Sequence, residues 1–162
     1  MLLLLRVLMW ICLTVWVGGI IFFSVVEAPA VFAVLGAPDS LHLAGDIVSR
    51  SLSSLHIAGF ICGIIFLLCA FVRRSRFSNA LGVLSLVPMV LVGVMLLLTA
   101  FSQFWITQGM HVIRTTNPNL QQLSANDPAR QMFDRLHRYS TFTEGGVLLL
   151  GLATIVLLSR EA

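Results

Sequence analysis

Apolar residues run almost without interruption from Val7 to Val26, again from Ile57 to Val72, over most of residues 79–101, and from Gly145 to Leu158. A helix rises about 1.5 Å per residue, so about 20 such residues cross a hydrocarbon core about 30 Å thick. The pattern predicts an all-α protein of four transmembrane helices, at about residues 4–26, 55–72, 79–103 and 139–158, forming one four-span domain over residues 1–162.

Polar periodicity appears at the borders of these runs. His42, Asp46, Ser49, Ser53 and His56 step by three and four along one helix face, with Arg50 four residues after Asp46. Thr99, Gln103, Thr107 and His111 recur every fourth residue past the third run. Arg130, Asp134, His137, Thr141 and Glu144 do the same before the fourth. Three helices are therefore predicted to continue beyond the apolar layer as polar extensions on one side.

Breakers and caps set the expected ends. Pro29 disfavours helix at the residue before it, so the first helix should stop near Glu27. Pro38, Asp39 and Ser40 form a start signal, and Asp127-Pro128 is a second. Asn117-Pro118 should close the third helix, and Pro88, mid-span, should kink it and free the carbonyl of Leu84. Tyr139 suits an interface. Gly18, Gly19, Gly59, Gly63 and Gly145 are expected, with Pro88, to shape helix packing, since small residues let membrane helices approach closely.

Composition fixes the solvent. The chain is 58% hydrophobic and 10% charged, with a mean hydropathy of +0.97, whereas charged residues make up about a quarter of a soluble domain. Its natural partner is the lipid bilayer. All ten cationic residues are arginine, but no basic face interleaved with aromatics suits nucleic acid. The first apolar run, at about 20 residues, exceeds the roughly 7–15 of a signal-peptide core, and Arg6 follows four leucines rather than preceding them. It reads as a retained span. Cys12, Cys62 and Cys69 lie in apolar runs without a CxxC and read as packing residues.

Chemistry clusters at one end. All four histidines, His42, His56, His111 and His137, fall towards the same mouth of the predicted bundle, together with Glu27, Gln103 and Glu144. Glu27 and Glu144 stand where polar stripes meet apolar core, and ionisable groups at that depth face the protein interior. Candidate ligand-binding residues are Glu27, His56, Gln103, His111, His137 and Glu144, with His56 and His137 as candidate metal ligands and Arg138 or Tyr139 as partners for Glu144. No phosphate loop, GxSxG or HExxH is present, and the reading leans away from an enzyme.

Two motifs carry a resemblance. WVGGIIFFSVVEAPAVF (Trp16 to Phe32) and FDRLHRYSTFTEGGVLLLGL (Phe133 to Leu152) resemble a bacterial four-helix membrane family of unknown function related to eukaryotic transmembrane protein 205. The resemblance implies an inner-membrane protein without an established activity. A looser likeness to copper-resistance and haem-binding four-helix proteins meets a first span here that lacks histidine.

The reading is an integral membrane protein whose polar mouth pocket engages a cation, a metal or a small polar ligand, in a transport or stress-resistance auxiliary role. The alternatives are a structural protein that assembles with itself or a membrane partner, and a haem- or metal-dependent oxidoreductase. No particular cofactor is implied. The dense Arg73, Arg74, Arg76 turn, weighted by the positive-inside rule, predicts both termini in the cytoplasm.

Overall fold

A computed structural model describes residues 2–37, 40–77, 86–117 and 120–160. Its described residues form helices α1 (Leu2–Phe22), α2 (Ala28–Leu35), α3 (Leu41–Phe77), α4 (Val87–Phe101), α5 (Gln108–Thr116) and α6 (Pro128–Arg160). Wide π-helical turns, Phe23–Glu27 and Ser102–Thr107, join α1 to α2 and α4 to α5, and a single 3₁₀ turn spans Leu120–Gln122. The result is four long rods, Leu2–Leu35, Leu41–Arg76, Val87–Thr116 and Pro128–Arg160, each long and apolar enough to cross a membrane.

The rods run up and down in chain order. α1 packs on α3, α3 on α4, α4 on α6, and α6 returns to α1, closing a four-helix bundle. Inward stripes recur at helical spacing: Met9, Cys12, Leu13, Trp16 and Ile20 on the first rod, Cys62, Phe66 and Cys69 on the second, Val92 and Met95 on the third, Val147 and Leu158 on the fourth. Between 28% and 33% of each span's most apolar window is buried inside the bundle. Most of that apolar surface, including Ile11, Val15, Ile61, Leu97 and Leu149, faces outward, which only a hydrocarbon solvent makes favourable.

Close approach is concentrated where α1 meets α3. The indole of Trp16 lies over Gly59 and Gly63: a Cβ at Gly59 would sit 2.5 Å from its Nε1, and one at Gly63 would sit 2.8 Å from its Cζ3 and 2.6 Å from Leu96. Gly19 lies beneath Leu55 in the same way. Gly18 and Gly145 do not mark an approach within this chain, because a Cβ at either position meets nothing within 4 Å; both point out of the bundle.

The helix does not stop at Glu27. It turns through Phe23–Glu27 with an extra residue, the Ala28 N–H donating to the Phe23 carbonyl five residues back, and runs on to Leu35. Proline blocks a helix because its ring clashes with the carbonyl four residues earlier and it lacks an N–H. The wide turn before Pro29 opens that spacing, so the proline is absorbed near the start of α2. Pro88 sits near the start of α4; Leu84, whose carbonyl a mid-span kink would free, lies outside the described residues, as do Pro38, Asp39 and Pro118. At the Asp127-Pro128 start, Asp127 Oδ1 accepts from the Ala129 N–H at 2.8 Å with Pro128 opening α6.

Candidate functional site

Three rods contribute to a buried polar cluster on the mouth side of the core. His56, from α3, is 1% exposed. Its Nδ1 is 2.7 Å from Gln103 Oε1 and its Nε2 is 2.7 Å from Glu144 Oε1. Ser102 Oγ–H donates to the same Glu144 oxygen at 3.1 Å. Gln103 and Ser102 both come from the π-helical turn Ser102–Thr107, whose extra residue widens the helix where it faces His56 and Glu144. π-helical turns of this kind are frequent at functional sites.

The depth of the cluster follows from the helical rise. A Cβ at Gly151 would meet Val17 and Met95, a level near the middle of the apolar runs. Glu144 is seven residues along α6 from that level, about 10 Å, inside the roughly 15 Å half-thickness of a hydrocarbon core. An isolated carboxylate at that depth is costly, and so is an isolated imidazolium. Here each has the other, and the remaining lone pairs and protons are met by Gln103 and Ser102. Two arrangements fit the contacts. Either both His56 nitrogens carry protons and face oxygen acceptors, or the Gln103 amide is turned to donate to Nδ1 and one proton sits between Nε2 and Oε1. In both, the His56–Glu144 contact is a place to hold one proton and pass it.

Two cavities open above the cluster. One, about 590 Å³, is lined by Asp46, Ser49, Arg50, Ser53, Gln103 and Thr107 among others, so its floor is the residue bonded to His56. The second, about 550 Å³, lies against Phe32, Leu41, His42, Phe133, Asp134 and His137. Asp46, His111 and Arg114 line both and form the wall between them. Thr99 and Thr107, flanking Gln103 at helical spacing, have buried hydroxyl oxygens that make no hydrogen bond among the described residues.

The six candidate residues divide accordingly. His56, Gln103 and Glu144 meet. His111 and His137 line the cavities above as exposed residues, His137 stacked on Phe133 with ring centroids 6.4 Å apart. Glu27 is half-buried at the end of its π-helical turn, with no hydrogen bond or ion pair among the described residues, and belongs to neither cavity. The partners of Glu144 are His56 and Ser102, in place of Arg138 or Tyr139, because the carboxylate points into the bundle while Arg138 and Tyr139 point out. Asp46 faces Arg114 at 3.8 Å across helices. Among the described residues no three His, Cys, Asp or Glu side chains converge as a metal site, and His56 spends both ring nitrogens on Gln103 and Glu144.

Ser102 and Arg114 are the site residues the polar pattern does not single out. Ser102 sits one place off the every-fourth stripe of Thr99, Gln103 and Thr107, and reaches the core because the π-helical turn brings two neighbouring residues inward. Arg114 is one of ten arginines, and nothing in its local sequence marks it as buried against another helix.

Comparison with curated proteins and with solved structures returns no match. A family model described as a domain of unknown function (DUF4149) matches residues 11–118, about two thirds of the chain, from the first rod through the third. The matched segment contains Glu27, His56, Ser102 and Gln103, while Glu144 lies beyond its end. On that match the chain belongs to the DUF4149 family of membrane proteins.

Proposed function

We propose that this membrane protein binds a small polar ligand in its mouth cavities and holds a proton beneath it, on the His56–Glu144 pair. The observation that carries the reading is the continuity from open cavity to buried pair: Gln103 lines the outer cavity and hydrogen-bonds His56, which hydrogen-bonds Glu144 inside the hydrocarbon depth. Buried ionisable groups at this depth mark proton or ligand paths more often than structure alone. A metal or haem centre draws no support from this geometry, since both His56 nitrogens are engaged and His137 lies apart from it on the cavity rim.

The role that fits is an auxiliary one in transport or stress resistance, in a bacterial inner membrane, with both termini cytoplasmic. The Arg73, Arg74, Arg76 cluster at the end of α3 supports that orientation, and the two motifs around Trp16 and His137 support kinship with transmembrane protein 205. A second reading, association with a partner helix, is favoured by Gly18 and Gly145, which face outward with open space above them.

The test is infrared difference spectroscopy of the purified protein in lipid as bath pH is stepped from acid to alkaline. Wild type should show reversible carboxyl and imidazole bands, and Glu144→Gln and His56→Asn should each remove both together. Bands that survive in either variant, or vanish one at a time, would show that the pair is not a single proton site.

A further inference from the structure

We propose that the mouth cavities take a small organic anion, a carboxylate or phosphate group on an apolar body, with Arg114 as its anchor. This rests on the reading of those cavities as a ligand site. Arg114 stands in the wall that both cavities share, and its guanidinium is held before any ligand arrives. Nη1 donates to the Gly45 carbonyl at 2.9 Å, and the guanidinium carbon lies 5.0 Å from the centre of the Phe133 ring. Gly45 leaves the space: a Cβ there would be 2.9 Å from Nη2. That fixes the plane of the fork and leaves Nη2 and Nε donors for an oxygen pair, the geometry by which arginine binds carboxylates and phosphates side-on.

The charge balance fits an anion. The two cavities are lined by Arg50, Arg114 and Arg130 against Asp46 and Asp134, with His42, His111 and His137 between them. Asp46, the carboxylate nearest to Arg114, is 3.8 Å away and its side chain is 63% exposed, a loose contact that a better-placed anion displaces. Phe32, Leu41 and Phe133 offer an apolar wall to the rest of the ligand, and about 550 Å³ accommodates a small molecule.

Depth selects a dissolved ligand over a lipid headgroup. Arg114 lies nineteen residues beyond Met95, about 28 Å along the rod from the bundle's middle, past the hydrocarbon and well into the water.

Equilibrium dialysis of the purified protein, at constant ionic strength, with labelled benzoate, inorganic phosphate and choline decides the matter. Wild type is expected to bind benzoate or phosphate saturably and at least tenfold more tightly than choline. Arg114→Gln should weaken that binding tenfold or more, Arg114→Lys should lie between, and Asp46→Asn, which removes the competing carboxylate, should tighten it several-fold. The Asp46 variant keeps the idea testable if the Arg114 variants fail to fold. Saturable choline binding with neither anion bound would overturn the anion and leave the mouth site standing; no binding of any probe would overturn both. Repeating the measurement in nanodiscs separates the sources. Equal anion binding in phosphatidylcholine and phosphatidylglycerol discs supports a solute, whereas competition by phosphatidylglycerol would overturn that choice.

Discussion

His56 has no slack: its two ring nitrogens are taken by side chains from two other rods, and it is almost wholly shielded from solvent. Removing one member of such a buried pair leaves a charge or a polar atom uncompensated, at a cost of about 3–5 kcal/mol. Glu144→Leu is therefore expected to destabilise the bundle by about that much, since it strands His56 Nε2 and the Ser102 hydroxyl together. Glu144→Gln keeps the shape and the hydrogen-bonding capacity and should cost about 1–2 kcal/mol. Reversible unfolding in mixed micelles measures both, and equal losses would mean that the carboxylate's partners contribute little. At this scale the sequence exposed the participants but not their pairing. Glu144 and His56 stand out because each is ionisable at the edge of an apolar run. Their separation of 88 residues hides the contact, and no local pattern could have joined His56 to Glu144 in preference to Arg138.

Elements decide where those side chains point. The π-helical turn Ser102–Thr107 does two things: it brings both Ser102 and Gln103 to the core, and it sets the rotation of α5, which carries His111 and Arg114 to the cavity wall. Deleting Phe104, an exposed residue of that turn, would let the rod close into regular α-helix and rotate everything beyond it by about 100°. The variant should fold with the His56–Gln103–Glu144 cluster kept, while anion binding at Arg114 is lost; retained binding would mean the turn does not set the register. Glycines give a matched pair. Gly63→Leu forces a side chain into the space of Trp16 and Leu96 and should cost about 1–3 kcal/mol, whereas Gly145→Ala, in open space, should be neutral or stabilise by up to about 1 kcal/mol. The same unfolding assay ranks them, and similar losses at the two positions would contradict the packing. The sequence showed these glycines as a class but not their facing, because an all-apolar helix has no polar side to orient it. The π-helical turns were illegible for a related reason: Pro29 signals an end, and only the geometry of the backbone shows that an added residue has absorbed it.

On the scale of the whole molecule, hydropathy alone carried the architecture. Four apolar runs of span length, too hydrophobic to bury one another, require a bilayer and give a bundle whose outer face is hydrocarbon. The gathering of every histidine at one mouth was also legible, since helix direction alternates from rod to rod. What it could not convey was depth: His56, Gln103 and Glu144 form a dry inner layer, His42, His111 and His137 a wet outer one, and Glu27 stands apart from both. The account's central claim is that inner layer. Solid-state NMR of protein labelled at the His56 ring nitrogens and the Glu144 side-chain carboxyl carbon, in lipid bilayers, measures it directly. Strong dipolar coupling between His56 Nε2 and the Glu144 carboxyl carbon, with both ring nitrogens hydrogen-bonded and the ring protected from water exchange, is the predicted result. An uncoupled, freely exchanging His56 ring would contradict the account at its centre.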